Sequence, residues 1–285
     1  MIVAPRSVAL GNEILRGVVG SAAHGTAIEG QDDRDEMGVF IEPAENVCGL
    51  KSYDHYIHRD QPDGVRSQPG DLDLTPYSLR KLCRLAARGN PTVILLLWLP
   101  SHICKTSAGT ELIAMRDAFI SKEAGERFLG YLTTQKMRLT GERTRTVNRP
   151  ELVAKYGYDT KFAMHALRLG FEGIELMTDG RLTLPVAEPD LMTLRAVRSG
   201  QVSFADALSL IERAETRLRS LVEACTCTAD IDRINGFLVR AHLRHWETGG
   251  AVAGRPGACP PGPHAIEAAP EKHWRPGPWP DNQPT

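Results

Sequence analysis

Two aspartates one residue apart, at the mouth of an apolar run, constrain this chain more than any other feature. They are Asp33 and Asp35, inside GVVGSAAHGTAIEGQDDRDEMGVFIEP, residues 17–43. A short apolar strand (Val18, Val19), a tight Gly20-Ser21 turn and a small-residue segment precede them. A second apolar strand, Met37 to Ile41, follows, and Pro43 ends it. Side chains alternate in an extended chain, so Asp33 and Asp35 share one face while Arg34 takes the other. Two carboxylates beside a turn rich in free N–H groups suit a divalent metal that carries a polyphosphate.

A second alternating stretch, DLDLT, sets Asp71, Asp73 and Thr75 on one face and Leu72 and Leu74 on the other. A third strand-borne carboxylate is what a two-metal site needs beyond the first pair. Thr75 is the expected N-cap, and Pro76 the first residue, of a helix over 76–88 that Gly89 stops. Asn90-Pro91 repeats the device and starts an apolar helix, Thr92 to Leu99, which Pro100 closes. SYDHYIHR alternates aromatic and polar residues and reads as a half-buried edge strand.

Beyond about residue 105 the pattern is helical, with helices near 108–120, 122–140, 160–176, 188–199, 204–224 and 230–246. TDGRLTLPV reads as a turn and a short strand. On helix 160–176, Lys161, His165, Arg168, Glu172 and Glu175 fall three and four apart and form one polar face. Either that face is solvated and stitched by Arg168–Glu172, or Lys161, His165 and Arg168 line a cleft and hold nucleotide phosphates.

The chain has 285 residues and a net charge of −1, which excludes a grossly basic protein but not a local basic patch. GERTRTVNRP supplies such a patch in Arg143, Arg145 and Arg149, either solvated or in contact with a nucleic acid backbone. MIVAPRSVAL has too short an apolar run for a signal peptide, and no stretch is long enough to span a membrane, so a cytoplasmic protein is expected. Six cysteines show no C-x-x-C spacing, so zinc is not expected. From Glu247 onward Gly, Pro and Ala dominate, and a disordered tail is expected.

The order strand, Gly-Ser, small residues, D-x-D, apolar strand resembles the DNA polymerase β-like nucleotidyltransferases. GSAAHG, DDRDEMGVF, DLDLTPYSLRKL, GNPTVILLLW and KFAMHALRLGFEGIEL, taken in order, are similar to its RNA-repair-pathway (RlaP-type) branch. The resemblance implies an α+β fold. A nucleotidyltransferase core over 1–105, a small mixed sheet with flanking helices, would precede a mostly helical substrate- and nucleotide-binding region over 106–246 and a Pro/Gly-rich tail over 247–285.

The implied activity is metal-dependent transfer of a nucleoside monophosphate from an NTP, with ATP the expected donor, to a hydroxyl acceptor such as an RNA end. Two Mg²⁺ ions are implied, with Mn²⁺ as an alternative. Asp33 and Asp35 would hold both ions. Asp73, which matches the family's third acid better than Asp71, would hold the one on the attacking side. Gly20 and Ser21 would cradle the β- and γ-phosphates. His24 stands where the family often has tyrosine, and Asp32 where related sequences tend to carry serine. Two alternatives remain: AMP transfer to a protein hydroxyl, as in antitoxin-type members, and nucleotide or RNA binding without catalysis. The three carboxylates argue against the second, and the arginine loop favours RNA over protein.

Overall fold

The computed structural model describes residues 2–28, 30, 32–62, 65, 67–142 and 149–249. The N-terminal half contains β1 (Ile2–Val3), α1 (Arg6–Gly11), β2 (Glu13–Val18), α2 (Gly20–His24), β3 (Arg34–Phe40), α3 (Ala44–Cys48), β4 (Tyr53–His55), β5 (His58–Arg59) and β6 (Leu72–Ser78). After these come α4 (Leu79–Ala87), α5 (Pro91–Ile94) running into a 3₁₀ turn (Leu95–Trp98), β7 (Cys104–Lys105) and α6 (Ser107–Ala114). The remainder is helical: a 3₁₀ turn (Arg116–Phe119), α7 (Lys122–Leu139), α8 (Pro150–Tyr156), α9 (Thr160–Asp179), α10 (Asp190–Arg198), α11 (Phe204–Ala224) and α12 (Ile231–Glu247). This is a mixed α+β fold with a helical C-terminal part.

Among the described residues, one mixed sheet runs β1-β4-β6-β3-β2-β7, with β5 also paired to β6. β3 and β6 are parallel, and β2 lies antiparallel to β3. β3 is apolar without alternation from Glu36 to Phe40 apart from its first residue, all of it buried, as expected of a strand covered on both faces. β6 instead alternates buried and half-buried from Leu72 to Ser78. The expected helix over 76–88 therefore starts later: Thr75 and Pro76 lie in β6, and Ser78 caps α4 by accepting from Lys81 N at 3.3 Å. Pairing with β3 through Ser78 overrides the local Thr-Pro signal. Pro76 is tolerated because β4 pairs with β6 at one register position only, His55 with Tyr77, while the Pro76 carbonyl still accepts from Tyr56 N.

Other departures are small and local. The first strand is the longer Glu13–Val18, and Gly20-Ser21 opens a short helix instead of a simple turn. The SYDHYIHR strand lies inside the sheet, between β1 and β6, and TDGRLTLPV forms no strand. The caps follow local chemistry closely: Asn90, Ser121, Asp159, Ser203 and Asp230 each accept from a backbone N–H in the first turn of their helix.

The larger of two apolar clusters among the described residues runs from Ile14 in β2 to Ala241 in α12, and a small one joins Ala4, Ala9 and Phe40. α9 packs between α7 and α11, and small residues allow the approach. A Cβ on Gly173 would lie 2.8 Å from Leu218 Cδ2 and 3.0 Å from Phe128 Cβ. α12 is fastened to the sheet through Glu42, the fully buried residue just after β3. Arg80 Nε donates to Glu42 Oε1 at 3.0 Å, His242 Nε2 lies 3.2 Å from Oε2, and Trp246 Nε1 donates to the Glu42 carbonyl at 2.8 Å. Among the described residues no helix is long and apolar enough to cross a membrane. The expected tail falls outside the described residues from position 250 onward.

Two glycines in this bundle test the packing. Gly173→Val should lower stability by about 1–3 kcal/mol through overpacking. Gly130→Ala on α7, where an added Cβ meets nothing within 4 Å, should be neutral or stabilising by up to about 1 kcal/mol. Denaturant titration of both variants checks the pair.

Candidate active site

The β3–β6 register decides which acids meet. It sets Asp35 opposite Asp73, and Asp33 lies just before β3. One carboxylate oxygen from each of Asp33, Asp35 and Asp73 lies within 4.8 Å of the other two. Asp71 is turned elsewhere: its carboxylate accepts from Gln68 N at 2.7 Å. Asp32 also points into the loop, accepting from Ile28 N at 2.8 Å.

Packing alone would not bring three like charges together. Burial first, then the charges of Asp33 and Asp73, push the Asp35 carboxyl up to about 6, against a pull downward from Lys161. Three hard carboxylate oxygens with an unmet need for positive charge fit Mg²⁺ or Mn²⁺. Gly20 makes the arrangement possible. Its φ is +65°, and a Cβ there would sit 2.1 Å from Asp35 Oδ2.

α9 supplies the opposite wall. Lys161 lies in the field of Asp32 and Asp33, and burial together with Arg149 lowers its ammonium pKa. Burial and the charges of Arg168 and Lys161 push His165 well below the ordinary histidine range, so its ring is neutral at pH 7. Arg168 and Glu172 pair at 2.8 Å, yet this is no solvated stitch: Glu172 is buried against α2. His24 Nδ1 lies 2.7 Å from Glu172 Oε1, and Arg168 donates to His24 Nε2 at 2.8 Å. Burial would raise Glu172, but Arg168 and His24 bring it down to about 2. Burial also lowers His24, so α2 is held to α9 by a neutral ring between a carboxylate and a guanidinium.

Of the arginine loop, Arg143 and Arg145 lie outside the described residues. Arg149 is engaged at the start of α9: it donates to Asp159 Oδ2 at 3.2 Å and stacks over Phe162, 5.1 Å from the ring centroid. Sequence reasoning missed Arg198, at the end of α10. Burial lowers its pKa, and it lies in the fields of Asp32 and Arg149. It borders a hollow of about 350 Å³ that Thr26, Ile28, Met192 and Gln201 also line. Arg59 and Gln61, which both reach Asp73, were missed as well.

A family model described as the RNA repair pathway DNA polymerase beta family (RlaP) matches residues 10–241. The chain belongs to that family. All three acids, the Gly20 turn and α9 fall within the matched span. A solved structure similar to this chain is a nucleotidyltransferase-like protein from Exiguobacterium sibiricum, at 13% identity over 75% of this chain and 69% of that one. Its TM-score of 0.29 is too low to carry weight. No protein of curated function matches the chain. Membership in the RNA repair pathway polymerase β family makes this a nucleotidyltransferase-like protein with a cluster of acids where such chemistry would require one.

The raised Asp35 pKa has a stability consequence. Its carboxyl sits above its ordinary value of 3.8, so ionising it costs stability; the cost is absent below about pH 4 and fully present above about pH 6. Asp35→Asn should therefore stabilise the chelator-treated protein at pH 8 by about 1–2 kcal/mol after solvent screening, and change little at pH 4. Urea melts at the two pH values measure the difference.

Proposed function

We propose that the protein transfers a nucleoside monophosphate from an NTP, with ATP the expected donor, to a hydroxyl at an RNA end. The observation that carries this reading is the row of Asp33, Asp35 and Asp73 beside Gly20 in a chain of this family. Asp33 and Asp35 would hold two Mg²⁺ ions, or Mn²⁺ in their place, and Asp73 the ion on the acceptor side. When bound, these ions would lower the pKa of the attacking hydroxyl and offset charge on the leaving pyrophosphate.

The remaining work belongs to the protein. The Gly20 and Ser21 amides, with the Ser21 hydroxyl, would receive the β- and γ-phosphates, whose negative charge Lys161 would offset across the cleft. Arg168 and His24 act as positioning residues: their contacts with Glu172 hold α2, and with it Gly20, at a fixed distance from α9. His165 presents a neutral ring among cations and adds no charge to that wall. In-line displacement then requires the acceptor hydroxyl to enter from the side away from α2. AMP transfer to a protein hydroxyl is the second reading. It is favoured by the engagement of Arg149 with Asp159, which withdraws one of the three loop arginines expected to meet RNA.

Asp33→Asn and Asp73→Asn should each reduce transfer of labelled NMP by at least about a thousandfold with the melting transition preserved, because each removes charge at the ion sites. Incubation with labelled NTPs, Mg²⁺ and pooled RNA, and separately with cell lysate, measures transfer and identifies the acceptor class. Turnover near the wild-type rate in either variant would rule out the acid assignment. Mn²⁺ binding to the metal-free protein should also weaken as the pH drops through about 6, where Asp35 takes up a proton in competition with the ion.

A further inference from the structure

The acid row ends against a cation. Asp73 is flanked on one side by Asp35, its parallel partner on β3, and on the other by Arg59, its antiparallel partner on β5. Arg59 Nε lies 3.3 Å from Asp73 Oδ1, and its side chain is 56% exposed. Gln61 Nε2 donates to the same oxygen at 3.2 Å. Across the sheet the order is Gly20, Asp35, Asp73, Arg59, with a guanidinium at the end farthest from α2.

Arg59 and a divalent ion on Asp73 are competitors, since both require the same carboxylate and repel each other. An exposed arginine pair contributes little, so the ion wins and the guanidinium is released at the rim of the site. There it needs a new anion. Resting on the transfer reading above, the polyphosphate end lies at α2, so the β5 side is where the acceptor enters. We propose that Arg59 is an acceptor-binding residue that exchanges Asp73 for a phosphodiester of a nucleic-acid acceptor as the metal site fills. A phosphodiester next to a terminal hydroxyl supplies an anion at this position and matches the guanidinium fork. A serine, threonine or tyrosine hydroxyl brings no such charge of its own.

The exchange gives two effects of opposite sign in one variant. In full-length Arg59→Gln, Mn²⁺ binding followed by electron paramagnetic resonance should tighten by up to about fivefold, because a competitor for Asp73 is gone. Binding of a single-stranded RNA oligonucleotide with Mg²⁺ present, followed by fluorescence anisotropy, should weaken by roughly three- to tenfold at low salt. Its salt dependence should flatten by about 0.7 in log–log slope, one phosphate contact on a single strand. Arg59→Lys, which keeps the charge but not the fork, should recover part of the RNA binding.

A purely structural role for Arg59 would not tighten metal binding. Unchanged or weaker Mn²⁺ binding in Arg59→Gln overturns the exchange. Unchanged RNA binding overturns the acceptor role, as does a loss confined to transfer onto a protein hydroxyl. If the wild-type Mn²⁺ signal survives in Asp35→Asn, the transferase reading falls and takes this inference with it. A signal lost in Asp35→Asn but indifferent to Arg59→Gln sinks this inference alone.

Discussion

Three carboxylates within 4.8 Å of one another repel, and much of the surrounding structure exists to hold them there. A slip of β6 by one residue would turn Asp73 onto the face that Leu72 and Leu74 bury, so burial of those two leucines fixes the register that sets Asp73 beside Asp35. The glycine at position 20 removes the one atom that would exclude the Asp35 carboxylate. The residual cost, seen in the raised Asp35 pKa, comes first from burial and then from the charges of Asp33 and Asp73, and a divalent cation is the simplest agent that offsets it. A fold that concentrates negative charge at this cost to its own stability is shaped for a positively charged guest.

A second charge network sets the width of the cleft. Glu172, Arg168 and His24 are taken out of water together, and such groups add little stability compared with apolar residues of the same size. Removing one partner, however, would leave a buried charge unmatched. His24 takes part as a neutral ring, so the matched charges are those of Arg168 and Glu172, and α2 docks on that pair through the ring. Glu42, just after the strand that carries Asp35, likewise joins Arg80 on α4 to His242 on α12 and so fastens the last helix. These two networks thus join the helical region to the acid-bearing sheet beside the apolar cluster that both share.

Legibility in the sequence followed the range of the interaction. The D-x-D pair and Asp73 could be read because alternation along a strand is local, and Asn90 because a cap bonds within its own first turn. The same local logic failed at Thr75-Pro76, a good helix start that neighbouring strands hold extended. Periodicity on α9 identified one polar face but not what opposes it, and the answer, His24, is more than a hundred residues away. Arg198 and Arg59 were invisible for the same reason. One comes into the field of Asp32 from the end of α10 and the other reaches Asp73 across a strand pair two residues long, and neither carries a motif.

Where the cations stand matters more than their number. A chain with a net charge of −1 has no general attraction for a polyanion, so any attraction must come from placement. Lys161 and Arg198 stand near Asp32 and Asp33, toward the α2 end, and Arg59 stands beyond Asp73 at the other. Between them the acids repel phosphate, and divalent ions held there, as proposed above, would reverse the sign of the row. Polyanion binding at such a site would then be conditional on metal, because without it a negative barrier separates the two cationic ends. With it, positive charge would bridge the ends along the line an in-line phosphoryl transfer would take from leaving group to acceptor.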